Sequence, residues 1–198
     1  AACLRAEGWQ VHDCSAPAEL AGANVAVIVN PNNPDGRSWT PEQLIGLSRQ
    51  VDLLVVDESF ADPLPGLSLL LVCGAANILI LRSFGKFYGL AGLRLGFAFG
   101  PDDLIARLAA MAGPWPVSGP AITAGIAALS DDDWADAMRA QLAADCRRAD
   151  AMAAAAGWPC LGGTPLFRLY DTPDAAAAQA ALARHHIWTR TFPYSGTW

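Results

Sequence analysis

One segment concentrates the reactive side chains of this sequence. Ser83-Phe84-Gly85-Lys86-Phe87-Tyr88-Gly89-Leu90-Ala91-Gly92-Leu93-Arg94-Leu95-Gly96 sets a hydroxyl, an amine and a guanidinium among glycines and apolar residues. An amine held among Phe84, Phe87, Tyr88 and Leu90 is expected to be desolvated, which favours the neutral, nucleophilic form. A solvated surface lysine is the ordinary alternative. The segment is not a P-loop, because Ile80 stands where the first glycine of that motif belongs and Phe87 follows the lysine. Upstream, Asp57-Glu58-Ser59-Phe60 closes an apolar run. A carboxylate there needs a cation or a donor to offset its burial, and ligands of open α/β sheets sit beyond such strand ends. Taken alone, Asp57 also fits a helix cap or a loop carboxylate. A third stretch, Asn30-Pro31-Asn32-Asn33-Pro34-Asp35-Gly36, follows another apolar run; by itself it is also what a plain tight turn uses.

The elements that must position these groups show in the hydrophobic pattern. Val25 to Asn30, Leu53 to Glu58, Ile78 to Ser83 and Leu95 to Phe99 are compact strand candidates. Their continuous apolarity predicts strands covered on both faces. Between the first two, Thr40-Pro41 opens a helix as N-cap and first residue, and Leu44, Leu47 and Val51 recur at helical spacing. This strand-helix-strand order predicts an α/β sheet. Helices are also predicted from Asp102 to Met111, Trp134 to Ala156 and Pro173 to Arg184, with a strand from Leu166 to Tyr170. Pro114-Trp115-Pro116 interrupts the helical texture, so a domain change is expected near 101–116, dividing the chain into 1–105 and 106–198.

Composition narrows the function classes. With 53% hydrophobic and 16% charged residues the chain can bury a core, and its net charge of -6 offers no basic stripe for nucleic acid or an anionic membrane. No stretch of about 18 uninterrupted apolar residues marks a membrane span. Cys3, Cys14, Cys73, Cys146 and Cys160 form no CxxC pair, so reduced, mostly buried thiols in a cytoplasmic protein are expected. His12, His185 and His186 do not join them at metal-ligand spacing, and no metal site is expected.

In their order, the Asn30–Gly36 turn, the Asp57–Phe60 strand end and the Ser83–Arg94 segment resemble the class I/II aminotransferase superfamily, the fold-type I enzymes dependent on pyridoxal 5'-phosphate (PLP). That resemblance implies a three-layer α/β/α large domain, here partial, and a partial small C-terminal α+β domain. It implies Lys86 as the covalent anchor of PLP and the carrier of protons at the substrate Cα. It implies Asp57 as the partner that keeps the pyridinium nitrogen protonated, so that the ring acts as an electron sink. Asn33 would bond the cofactor's 3'-oxygen and lie beside the substrate, and Ser83 and Arg94 would hold the cofactor phosphate. Where many relatives carry a tyrosine, this chain has Phe60, whose ring is expected to pack at the cofactor.

Finer wording points within the superfamily. The segment from Arg82 to Arg94, Phe60, Gly113-Pro114-Trp115-Pro116-Val117-Ser118-Gly119-Pro120 and Thr191-Phe192-Pro193-Tyr194-Ser195-Gly196-Thr197-Trp198 resemble the threonine-phosphate decarboxylases of cobalamin biosynthesis. That likeness implies loss of CO2 from L-threonine O-3-phosphate to give (R)-1-amino-2-propanol O-2-phosphate. Histidinol-phosphate aminotransferases and other class I/II aminotransferases are the alternative, and a truncated, inactive PLP-binding module is a second. Arg190 matches an arginine that helps bind the substrate's phosphate in such relatives, or is an ordinary strand-end arginine. The chain reads as a fragment: relatives carry further substrate-binding segments before Ala1 and after Trp198, and a homodimer is expected at full length.

Overall fold

The computed structural model describes residues 2–70 and 77–198, which leaves Cys73 outside the described residues. Strands β1 (Val25–Val29), β2 (Leu53–Asp57), β3 (Ile78–Ser83) and β4 (Gly96–Phe99) form one sheet in that order. β1, β2 and β3 run parallel, and β4 returns antiparallel to β3. Between β1 and β2 lies helix α2 (Pro41–Ser48), which follows the short α1 (Ala2–Ala6). The Thr40 hydroxyl accepts from the Gln43 N–H while the Gln43 side chain accepts from the Thr40 N–H, a capping box that holds the first turn. Helices α3 (Asp102–Ala112), α4 (Gly119–Leu129) and α5 (Asp132–Ala155) follow the sheet. A hairpin of β5 (Cys160–Thr164) and β6 (Phe167–Tyr170) and helix α6 (Ala175–Ala183) come last.

Strand register decides where the core sits. Ala26, Leu54 and Ile78 lie side by side across the parallel strands, as do Ile28, Val56 and Ile80. All six are buried, packed with Leu44, Leu47 and Val51 from α2 and the turn beyond it. The opposite face, which carries Val27, Val55 and Asp57, is only partly covered, and Val27 is 50% exposed. Leu79 of the same face is nevertheless buried, so within this part of the domain that face is covered in places and open in others.

The thiols depart from expectation. Cys3, Cys14 and Cys160 are exposed and Cys146 is half-buried, all of them free, because they lie on α1, a loop, α5 and the hairpin rather than on the core rows.

The β5–β6 hairpin is fastened to α5 by a charged cluster. Arg168 donates to both carboxylate oxygens of Asp150, through Nε at 2.9 Å and Nη2 at 2.7 Å, and the Tyr170 hydroxyl adds a bond at 2.8 Å. The Arg168 bonds hold the Asp150 carboxyl below its ordinary range against the opposing effect of burial. Burial, and then donation to Asp150, push the Tyr170 hydroxyl up to about 12. The two groups therefore act at opposite ends of the pH scale. The stability from Asp150 is present above about pH 4 and lost as pH falls through its depressed value. That from Tyr170 is present below pH 10 and lost as pH rises toward about 12. Asp150→Asn should cost about 1 to 2 kcal/mol at neutral pH, between a screened pair and a desolvated one, and should flatten the acid limb of a plot of denaturation midpoint against pH. An unchanged acid limb would show that the cluster does not carry it.

Candidate active site

Side-chain alternation sorts the ends of β2 and β3 into two sets. Asp57, Leu81 and Ser83 fall on the open face, whereas Glu58 and Arg82, one residue on or back, turn to the packed side. There Glu58 is fully buried and accepts from the Ser68 hydroxyl and the Leu69 N–H, both at 2.7 Å, and from Arg82 Nη1 at 3.0 Å. The other guanidinium arm of Arg82 pairs with Asp62 Oδ1. One cation thus meets two carboxylates, and Asp62 Oδ2 is buried without a partner among the described residues. Arg139 of α5 approaches the same residue, donating through Nε to the Asp62 carbonyl at 3.1 Å.

On the open face the reactive groups gather. Ser83, Gly85, Lys86, Ala91, Arg94 and Gly96 share a pocket of about 300 Å³, which Arg82 and Leu95 also line. Ser83 sits at the end of β3 opposite Gly96, and its hydroxyl accepts from the Gly85 N–H at 3.2 Å. Arg94 adopts a left-handed backbone (φ 54°) as the chain turns into β4, and its guanidinium donates to the Ala91 carbonyl at 3.2 Å. A Cβ on Gly85 would lie 2.9 Å from the Ala91 Cα, so this loop closes on itself only with glycine there. Asp57 accepts the Ser59 N–H and hydroxyl on Oδ1. Its Oδ2 meets no donor among the described residues.

Lys86 is exposed, its ammonium 5.5 Å from the centre of the Phe60 ring. The desolvation expected from its aromatic neighbours is not found, because Phe84 and Phe87 turn into the core and leave the amine facing outward. Phe60 packs edge-on against Phe167 of β6 at 5.1 Å, so its ring links the two halves of the chain beside the lysine.

Asn33 is exposed in the turn after β1. Asn30 anchors that turn: fully buried, it accepts from the Trp39 N–H at 2.9 Å and donates to the Trp39 carbonyl at 3.0 Å. Asp35 braces it, accepting from Asn32 and Arg37, which hold its carboxyl below the usual range despite partial burial. The turn also touches the hairpin backbone to backbone. A Cβ on Gly36 would lie 2.2 Å from the Gly163 carbonyl oxygen, and one on Gly162 would lie 2.0 Å from that of Asp35. Arg190 stands apart from the pocket, exposed, with its guanidinium 5.2 Å over Phe192.

Sequence reasoning passed over Glu58, Asp62 and Arg82, although a charged residue on each side of two apolar strand ends was a visible signal. It also passed over a simpler one: Lys86 is the only lysine in the sequence.

A mostly parallel sheet with a lysine, a serine and an arginine beyond its strand ends and a carboxylate one strand away defines the class. Residues 12–197 match the family of class I and II aminotransferases, and the chain belongs to it. Within that family, 98% of this chain aligns with a threonine-phosphate decarboxylase of Sinorhizobium sp at 41% identity, covering 60% of that protein. A threonine-phosphate decarboxylase of Pseudomonas aeruginosa is also 41% identical, over 87% of this chain and 54% of its own. Among solved structures, a histidinol-phosphate aminotransferase of Sinorhizobium meliloti in complex with pyridoxal-5'-phosphate superposes with a TM-score of 0.77 at 26% identity, covering 85% of this chain and 49% of that one. The chain therefore spans about half to three-fifths of the length of these relatives.

Removing the shared cation tests the layout of the two faces. Arg82→Leu should cost about 3 to 5 kcal/mol in chemical denaturation, because it leaves Glu58 buried without its counter-charge. Arg37→Leu, which breaks the exposed pair with Asp35, should cost less than about 1 kcal/mol. Equal losses would mean that the buried network contributes no more than a surface pair.

Proposed function

We propose that the whole protein is a PLP-dependent decarboxylase acting on L-threonine O-3-phosphate, with Lys86 as the cofactor's covalent anchor. The observation that carries this reading is the pocket in which Lys86, Ser83 and Arg94 meet. An amine beside a hydroxyl and a guanidinium suits a ligand with both a carbonyl and a phosphate. The glycines at 85 and 96 let the loop and the start of β4 close in around that pocket, and Asp57 Oδ2, which meets no donor among the described residues, suits a protonated ring nitrogen. The residues present therefore fit PLP. Bound there, PLP would supply an aldehyde for amines and a ring that withdraws electrons from the substrate Cα.

In this reading Arg94 and Ser83 hold the phosphate, and Asp57 holds a proton on the ring nitrogen. Asn33 would bond the cofactor's 3'-oxygen, the Phe60 ring would pack at the cofactor, and Asn33 and Arg190 would meet the substrate. The Lys86 amine moves a proton at the substrate Cα as the carboxylate leaves as CO2, which gives (R)-1-amino-2-propanol O-2-phosphate and a role in cobalamin biosynthesis. The 41% identity to two threonine-phosphate decarboxylases supports this choice. The superposition on a histidinol-phosphate aminotransferase favours amino transfer as the second reading. The reading extends to a cytoplasmic homodimer with a large domain over 1–105 and a small one over 106–198. No helix among the described residues is long and apolar enough to cross a membrane.

Two measurements test it. Borohydride treatment of the chain with PLP should trap one adduct, at Lys86, and Lys86→Ala should abolish it. The protein in its full length should release CO2 from L-threonine O-3-phosphate. Amino transfer from histidinol phosphate to 2-oxoglutarate without CO2 release would replace the decarboxylase reading with the aminotransferase one, and an adduct surviving Lys86→Ala would remove Lys86 from its role.

A further inference from the structure

The Lys86 loop is held by a helix far from it in sequence. Tyr88 is sandwiched between Phe84, with ring centres 4.5 Å apart and planes 18° apart, and Trp134 of α5, at 5.7 Å and 17°. Phe87 meets Tyr88 and Trp134 edge-on at 5.2 and 5.4 Å. Farther along α5, Arg139 lays its guanidinium 5.5 Å over Phe87 and donates to the Asp62 carbonyl, so it touches both the loop and the buried network behind it. Asp131 caps α5 by accepting from the Trp134 N–H at 2.9 Å, which fixes the turn that presents the indole. Within residues 84–88, three rings are thus clamped and only Gly85 and Lys86 are left to face the pocket. Neither Trp134 nor Arg139 lines that pocket.

We propose that Trp134 is a positioning residue for Lys86, with Arg139 as its support. A covalent anchor is productive only where its amine keeps a set reach to the group it bonds and to the phosphate held by Ser83 and Arg94. The backbone of Lys86 lies in a glycine-flanked loop between β3 and β4, where its carbonyl accepts from the Gly89 N–H at 3.1 Å. That bond closes the turn without setting its distance from the pocket; the rings on either side do so, and Trp134 closes the stack from outside. This inference rests on the PLP reading above.

The experiment uses the full-length protein loaded with PLP and the variants Trp134→Ala, Trp134→Phe and Arg139→Gln. Arg148→Gln, which breaks the exposed Arg148–Asp145 pair elsewhere on α5, serves as a control. The readouts are the PLP dissociation constant, the pH midpoint of the visible absorption of the lysine-bound cofactor, and kcat and KM. Trp134→Ala should shift that midpoint and lower kcat by about 10- to 100-fold with KM within about twofold, the effect of a displaced reacting group. Trp134→Phe, which keeps a ring in the stack, should recover most of both, and Arg139→Gln should shift the midpoint in the same direction by less. Arg148→Gln should leave all three readouts unchanged. A Trp134→Ala protein that behaves as the control does, or a Trp134→Phe protein no better than Trp134→Ala, overturns the proposal. Should Trp134→Ala not fold, an unmoved midpoint in Arg139→Gln overturns it. A parent protein without the visible band, or one that keeps it after Lys86→Ala, would instead overturn the PLP reading itself.

Discussion

Glu58 and Asp62 share one guanidinium on the packed side of the sheet, and the arrangement of the open side depends on it. Arg82 bridges the loop after β2 to the end of β3, and through Glu58 it joins the sequence neighbours of Asp57 and Ser83. Strand side chains alternate, so a cross-link that holds Glu58 against Arg82 also holds their neighbours at a set separation on the other face. Burying three charges for this purpose is costly, and Asp62 Oδ2 meets no partner among the described residues. A hydrophobic substitute could fill the same volume but would not choose one register over another.

The second half of the chain completes what the first begins. Trp134 and Arg139 hold the lysine loop from α5, Phe167 braces Phe60, and Gly162 and Gly163 receive the turn that carries Asn33. Each contact lands on a residue within a few positions of a proposed cofactor ligand. The sheet supplies directions for the side chains, and the helical half supplies the walls that keep the loops in place. Membership of the class I and II aminotransferases accords with this division, since loops beyond strand ends vary more readily than the sheet that presents them.

Much of the scaffold was legible in the amino-acid order. The four strand runs, the Thr40 cap and the helices beginning at Pro41, Asp102 and Asp132 all form where periodicity and capping residues placed them, within a few residues. Helix α4 is missing from the sequence expectation although Ser118 caps it and Pro120 suits its first turn, because Pro114-Trp115-Pro116 just before it breaks the helical pattern. Strand β5 was passed over because Cys160-Leu161-Gly162-Gly163-Thr164 has two glycines where a strand pattern needs β-branched residues. Those glycines serve a backbone approach from Asp35 and Gly36 that no local pattern records.

What the sequence by itself determined was local: which residues pair as strands, where helices start, and that Asn33, Asp57, Ser83, Lys86 and Arg94 follow one another in the order of a family. Only the tertiary structure decided that Ser83, Lys86 and Arg94 share one pocket, that Arg190 stands away from it, and that Lys86 faces outward over Phe60 rather than into its apolar neighbours. It also decided which face of the sheet is fully packed and which is covered only in part. The physical reason is the same in each case. Propensity and spacing act through bonds a few residues long, whereas exposure, charge pairing and pocket shape are set by which distant segments arrive at the same place.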